Sequence, residues 1–398
     1  MKRLFTRLSV AIATGVLGVT ACDSSESTAP HSHDPVAAKL FVNGTEITPT
    51  IALAGGQTLR MEVRLYDDEG NQITGLETDH QTAVSFTPAS LASVQAVAGQ
   101  PFQWDVTADS AGGTGTASVG YGHDAPDERV FGPFPVNAAA AQVPVTISFV
   151  PVVGAQAFAC GQTYAGIGTT AASVTPTDFR LYVHDVRLVR ADNSEAPVTL
   201  EQDGLWQYQN VALLDFEDAT GGCGNGTAQT HTALTGTAAY GAYTGIKYRL
   251  GLPFALNHGD LTTAPSPLNV TALFWSWNSG YKFLRLDHTV DPAGTPSTHL
   301  LHLGSTGCNG ATATTPPTAC TEENLTEITL TGFDPRSGHI EADVAAVLAT
   351  SDLSVNAGGP PGCMSGTTDP ECGAIFAKLG LPFGATPAPV QSFFTGHP

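Results

Sequence analysis

Basic residues are scarce in this chain. Sixteen Lys plus Arg stand against 36 Asp plus Glu, for a formal net charge of −20. Three of the sixteen (Lys2, Arg3 and Arg7) sit at the extreme N-terminus. So acidic a surface repels polyphosphate backbones and anionic lipid, which argues against nucleic-acid binding and against electrostatic membrane association. Beyond the N-terminus, no apolar run approaches the length needed to span a bilayer. CxxC pairs are missing, which disfavours a thiolate metal site, and so is CxxCH, so any haem must belong to another protein. HExxH, GxSxG, P-loop and Rossmann signatures are missing too, and with them the commonest sequence marks of an enzyme. No internal repeat is found, and only four tryptophans occur.

What is present at the N-terminus is a secretory signal. Lys2, Arg3 and Arg7 precede an apolar segment from Leu8 to Val19, and Val19–Thr20–Ala21–Cys22 supplies small residues at the cut with a cysteine directly after it. This predicts a signal peptide over residues 1–21, a lipid on Cys22 and a flexible tether over 22–34 rich in Ser, Thr and Pro. The expected location is extracytoplasmic, as a membrane-anchored lipoprotein on the periplasmic face, the outer membrane or the cell surface. The membrane is touched through the lipid alone. His31, His33 and Asp34 on the tether are read as adventitious metal contacts.

Six of the seven cysteines then remain: Cys160, Cys223, Cys308, Cys320, Cys363 and Cys372. An even number in an exported chain predicts disulfides, with several pairings open. Local closure favours Cys308–Cys320 and Cys363–Cys372, leaving Cys160–Cys223, and a catalytic cysteine is then not expected.

The 43 Gly, 27 Pro and abundant Val and Thr predict a mainly β protein of short strands and turns. From 35 to 137, alternating runs at Lys39–Val42, Leu59–Tyr66, Trp104–Thr107 and Thr116–Tyr121 are separated by turn signals such as Asp67–Asp68–Glu69–Gly70–Asn71. They read as an immunoglobulin-like β-sandwich, without cysteines and so without an immunoglobulin disulfide. The alanine run within 137–142 is read as a linker. A larger, disulfide-stapled β-rich domain over 143–398 follows, with strands at Val143–Val150, Phe179–Val189, Tyr243–Leu250 and Leu325–Leu330. Its small helical C-terminal part is expected at Ile340–Leu348 and Gly373–Leu379, where apolar residues recur at helical spacing. In Phe179–Val189, Phe179, Leu181 and Val183 face one way, while Arg180, Tyr182 and His184 face the other, toward solvent.

Trp275–Ser276–Trp277 is the most informative stretch. Residues i and i+2 of a strand share a face, so the two indoles should lie side by side, sealing a core or framing a site. It belongs to an ordered set of motifs: Asp178–Phe179–Arg180–Leu181–Tyr182–Val183, Leu213–Leu214–Asp215–Phe216–Glu217, Leu252–Pro253–Phe254 with Asn257–His258, and Pro267–Leu268–Asn269. The set continues with Phe274–Trp275–Ser276–Trp277 to Gly280–Tyr281–Lys282–Phe283, then His302–Leu303–Gly304–Ser305–Thr306–Gly307–Cys308, and ends at Gly362–Cys363–Met364–Ser365–Gly366. Over about residues 143–385 this set resembles the MbnP-like, four-Cys "metallo-mystery pair" family of exported bacterial proteins. The resemblance implies a copper-associated protein, with copper as Cu(I) or Cu(II) held by the protein itself. It also implies a partner, a di-haem protein related to bacterial cytochrome c peroxidases, that oxidises a tryptophan to a kynurenine beside ligating histidines.

Imidazole suits copper, and a low-coordinate Cu(I) site needs only two or three good donors. His258, in a polar turn, and His302, ahead of Gly304–Gly307, lie in the shared motifs and are the first ligand candidates. His288 is the third, with Asp287 placed to orient a neighbouring imidazole. His299, three residues from His302, points to the opposite strand face. Trp275 and Trp277 are the kynurenine candidates, while Trp104 and Trp206 fit core or edge packing. Asp215 and Glu217 share one strand face, which favours surface charge or a hydrogen-bonded structural role over Ca²⁺ binding or a carboxylate pair of the glycosidase kind. The expectation is a non-enzymatic, lipid-anchored copper-binding protein. The alternative is a metal-free cell-surface interaction module in which the tryptophans pack or contact a ligand, and a weaker one is a hydrolase using Asp215.

Overall fold

The structure, a computed structural model, describes residues 34–398 apart from 124, 292–296 and 311–314. The signal peptide, Cys22 and the tether up to residue 33 lie outside the described residues. No helix among those described is long and apolar enough to cross a membrane.

Period-2 alternation builds the N-terminal domain. In Thr58–Tyr66 the side chains of Met61, Val63 and Leu65 turn inward and their neighbours outward. That strand lies in one sheet with Thr45–Glu46, Ala37–Val42, Gln103–Ala108 and Ala92–Ala96. A second sheet orders Ile51–Ala54, Arg129–Ala139, Gly113–His123 and His80–Thr87. The inner faces close on Leu40, Trp104, Val106, Phe86, Val119 and Val136, a sandwich core of the expected kind.

The segment expected to be a linker is mostly strand. Arg129–Ala139 runs through its first half, the next strand begins at Gln142, and only Ala140 and Ala141 lie between. The backbone of Ala141 is hydrogen-bonded on both sides, its N–H donating to the Ser110 carbonyl and its carbonyl accepting from Tyr240 N–H. Ala is poor at marking strands, so the sequence concealed this pairing.

The second domain is again two sheets. One orders Thr199–Leu200, Ala233–Ala239, Gln142–Val153, His339–Asp343 and Phe394–His397. The other runs Gln207–Tyr208, Val211–Asp215, Ala172–Val189, Leu284–Asp291, Ser297–Leu303 and Gly362–Cys363, with Gly245–Leu250 and Thr326–Thr331 branching from the long strand. Between them pack aromatic pairs in edge-to-face contact, such as Phe149 with Tyr248 (5.7 Å) and Tyr248 with Phe394 (5.5 Å). All three expected disulfides are formed: Cys160–Cys223, Cys308–Cys320 and Cys363–Cys372.

Two local expectations need correction. His184 is buried, not exposed: its Nδ1–H donates to the Gly251 carbonyl (2.8 Å), and beside it the Tyr182 hydroxyl donates to the Pro267 carbonyl (2.9 Å). The irregular segment 251–283 covers this second face, so the strand is buried on both sides. Ile340 lies in the strand His339–Asp343, and the helix starts only at Val344, where the Asp343 side chain accepts from Ala345 N–H. Ile340 and Val344 are four apart, which suits a helix but also keeps them on one strand face. The second expected helix is formed, as Cys372–Leu379, and it closes on the left-handed Gly380.

Candidate metal centre

The tryptophan motif forms a tiny hairpin on the outer side of the larger sheet. Phe274–Trp275 pairs with Gly280–Tyr281, and Asn278 N–H donates to the Trp275 carbonyl across the turn. Ser279 takes a left-handed conformation (φ 45°). The Asn278 amide donates to the Ser305 carbonyl (2.6 Å), tying the turn to the segment after His302. The indoles do lie side by side, with ring centroids 5.5 Å apart and planes at 39°. The turn, rather than a continuous strand, separates their environments: Trp275 is 7% exposed and Trp277 is 60% exposed. Trp275 packs over Gly304, where a Cβ would come within 2.6 Å of Cζ3.

On its inner side Trp275 meets His302, at 6.2 Å between centroids. His302 stands on Ser297–Leu303, directly across from Arg285 on Leu284–Asp291. Its Nε2–H donates to Asp287 Oδ1 at 2.6 Å. Arg285 grips the other oxygen of Asp287 (2.7 Å) and reaches Asp178 (3.1 Å), which is also held by Arg180 Nε at 2.8 Å. A chain of buried ion pairs therefore fixes the imidazole plane and tautomer. Burial lowers the His302 pKa, outweighing the pull of Asp287 in the other direction. Burial raises Asp287, but His302 and Arg285 overcome this and hold it below its ordinary value. The remaining ring atom, Nδ1, is buried with no hydrogen-bond partner. An unpartnered lone pair on a neutral, oriented imidazole is what a metal ligand requires.

His258 backs the same hairpin from the turn side. Its Nδ1–H donates to the Ser279 carbonyl (2.7 Å), and a Cβ on Gly280 would meet its ring at 2.9 Å. Its Nε2 accepts from the Asn257 amide at 3.0 Å. That amide cannot flip without loss, because Asn257 Oδ1 accepts from Tyr281 N–H (2.8 Å) while its nitrogen also donates to Ser305 Oγ (3.2 Å). The two histidines thus bracket the tryptophan hairpin, His302 with a free nitrogen and His258 with both engaged. His288 is not brought to this site. It lies an odd number of residues from Arg285, across from His299, so it points through the opposite face of the sheet from His302.

Among the described residues, three groups of His, Cys, Asp or Glu place ligand atoms within 4.8 Å of one another: His258 with Cys308 and Cys320, Glu217 with Cys160 and Cys223, and Glu77 with Asp79 and His80. In the first two the sulfurs are tied in disulfides and offer no thiolate. The third is an exposed acidic cluster in the N-terminal domain.

Several residues of the site were not singled out from sequence. Arg285, Asp178 and Arg180 build the ion-pair chain, and the Arg285-x-Asp287 and Asp178-x-Arg180 spacings were its legible trace. Lys282 Nζ–H donates to the Ala272 carbonyl (2.9 Å), and burial, helped by Arg285, lowers its pKa to about 8. Asp215 and Glu217 are buried beside Arg180 rather than lying on the surface. Trp104 is core, while Trp206 stacks on His231 at 5.3 Å.

A family model described as MbnP matches residues 142–365. The solved structure of MbnP from Methylosinus trichosporium is 33% identical; the match covers 65% of this chain and 99% of that one, with a TM-score of 0.58. Domains 4 and 5 of the S-layer protein SbsC (21% identity, 27% and 54% coverage, TM-score 0.19) and the Yersinia pseudotuberculosis adhesin InvE (14%, 72% and 64%, TM-score 0.21) are too dissimilar to bear on fold or function. No curated protein matches. The three disulfides fit an extracytoplasmic protein.

Proposed function

Because the chain belongs to the MbnP family, we propose that it is an exported, lipid-anchored copper-binding protein matured by oxidation of one indole of the Trp275–Trp277 pair to kynurenine. The observation that carries this reading is the buried, partnerless Nδ1 of His302, held by Asp287 and lying against Trp275. Copper is well served by imidazole nitrogen, and the fit with these residues is chemical as well as spatial. His302 offers a neutral ring, and opening the Trp275 indole to kynurenine would add an aromatic amine and a carbonyl next to it. His258 is the second imidazole, available once Asn257 releases Nε2.

The two tryptophans divide the work. Trp277 is exposed enough to meet a di-haem partner, and its ring touches that of Trp275. Conversion of the Trp275 indole to kynurenine would take up three waters, release the C2 carbon as formic acid and give up four protons and four electrons. The electrons would pass outward through Trp277 to the partner's haems, with Trp275 the residue converted and Trp277 the relay. Bound copper would be stored or handed on; no bond-making step is assigned to the chain.

The exposed Trp277 also favours the second reading, a metal-free interaction module. Titration of matured protein with Cu(I) against a chromophoric chelator separates the two. His302→Gln should abolish tight binding of one equivalent, and His258→Ala should weaken it. An unchanged number of tight equivalents in His302→Gln would overturn the site, and no tight equivalent in the wild type would leave the interaction module.

A further inference from the structure

On the face of the sheet opposite His302, a second pair of histidines has no role in the site above. His288 and His299 are direct cross-strand partners on Leu284–Asp291 and Ser297–Leu303. Their rings lie 4.7 Å apart between centroids, with planes at 31°. His288 is 1% exposed and His299 4% exposed. All four ring nitrogens are buried without a hydrogen-bond partner. The Leu286 carbonyl lies close enough to favour the protonated form of His288 without completing a hydrogen bond.

Buried polar atoms are normally satisfied, so four bare nitrogens on facing rings call for a ligand. A cavity of about 220 Å³ reaches one ring of the pair, with His299 in its wall beside Ser351, Pro370 and Glu371. Ser351 Oγ and Glu371 Oε2, on the same wall, are also buried and unpartnered. The other Glu371 oxygen accepts from Ala357 N–H (2.6 Å), which steadies the carboxylate at the cavity wall.

We propose that His288 and His299 form a second metal site, in which one ring nitrogen of each donates its in-plane lone pair to a single Cu(I) ion, loaded from the His299 side through the cavity walled by Ser351 and Glu371. Directly opposed residues on neighbouring strands bring side chains close enough to share a ligand. Two neutral nitrogen donors satisfy a monovalent, low-coordinate ion, whereas a dication such as Zn²⁺ would need further donors and would cost more to desolvate. Burial keeps both rings in the neutral, ligating form, lowering His288 to about 3 and His299 to about 4. The site does not depend on tryptophan oxidation or on His302.

The test uses the mature chain carrying His302→Gln, prepared without the oxidising partner, so that the first site cannot contribute. Cu(I) titration against a chromophoric chelator should show one bound equivalent. That equivalent should vanish when either His288→Leu or His299→Leu is added. Retention in both variants, absence of any equivalent in the background, or binding of Zn(II) but not Cu(I) would each overturn the proposal. Should either leucine variant fail to fold, imidazole NMR of the His302→Gln chain decides the matter. Resonances of both His288 and His299 should shift on Cu(I) addition, and unshifted resonances would overturn it.

Discussion

Replacing Gly304 by alanine tests how the tryptophan hairpin is clamped to the sheet. A Cβ there would lie 2.6 Å from Trp275 Cζ3, 3.3 Å from Cε3 and 2.7 Å from the Tyr281 carbonyl. Two of these contacts are shorter than real carbon side chains tolerate, so something must move. The carbonyl is not free to yield, because Tyr281 N–H is held by Asn257 and its hydroxyl by the Leu268 carbonyl. Gly304 itself is pinned, donating to Ser365 Oγ (3.0 Å) and accepting from the Asn324 amide (2.8 Å). Trp275 must therefore slide outward, away from His302. Overpacking of this kind costs about 1–3 kcal/mol, and partial loss of indole burial brings the expected destabilisation to the upper part of that range. Urea unfolding followed by indole fluorescence reads the stability and the environment of the displaced ring together. A change below about 0.5 kcal/mol, the ordinary scatter of neutral surface substitutions, with an unaltered emission spectrum, would refute the clamp.

Burial raises the Asp215 pKa from 3.8 to about 7, with Arg180 opposing and Glu217 adding to the rise. The folded state therefore keeps a proton that the unfolded chain releases, and the associated stability is present below about 3.8 and lost as pH rises through about 7. A shift of this size corresponds to roughly 4 kcal/mol at most; Asp215→Asn should flatten that fall in urea unfolding across the pH range, and an unchanged slope would refute the burial argument. Asp287→Asn should weaken copper binding by about 10–100-fold through loss of the group that orients His302, measured as a ratio of dissociation constants by chelator competition, and an unchanged constant would refute that role.

The sandwich domains were legible because their strands alternate cleanly: Met61, Val63 and Leu65 in one, Val145, Ile147 and Phe149 in the other, each with polar neighbours outward. The disulfides were legible because the short separations of Cys308–Cys320 and Cys363–Cys372 left one remaining pair. His184 was misjudged because the covering segment 251–283 is irregular and carries no periodic signal. Asp287 was recognised as an orienting group, but adjacency in sequence pointed to His288, whereas the diagonal register of two antiparallel strands delivers it to His302. The engagement of His258 Nε2 by Asn257, and the facing of His288 by His299, likewise depend on strand and turn placement that spacing alone does not encode. The hairpin's division into a buried Trp275 and an exposed Trp277 goes with Trp275 lying in the short strand and Trp277 in the turn that follows it, a boundary that the residue pattern does not fix.

Peptide mass spectrometry across Trp275–Trp277, on protein taken from cells that also express the di-haem partner, tests the maturation directly. A kynurenine mass shift on Trp275, with Trp277 intact, is the expected result. Two unmodified indoles in such cells would contradict it and return the pair to an interaction surface.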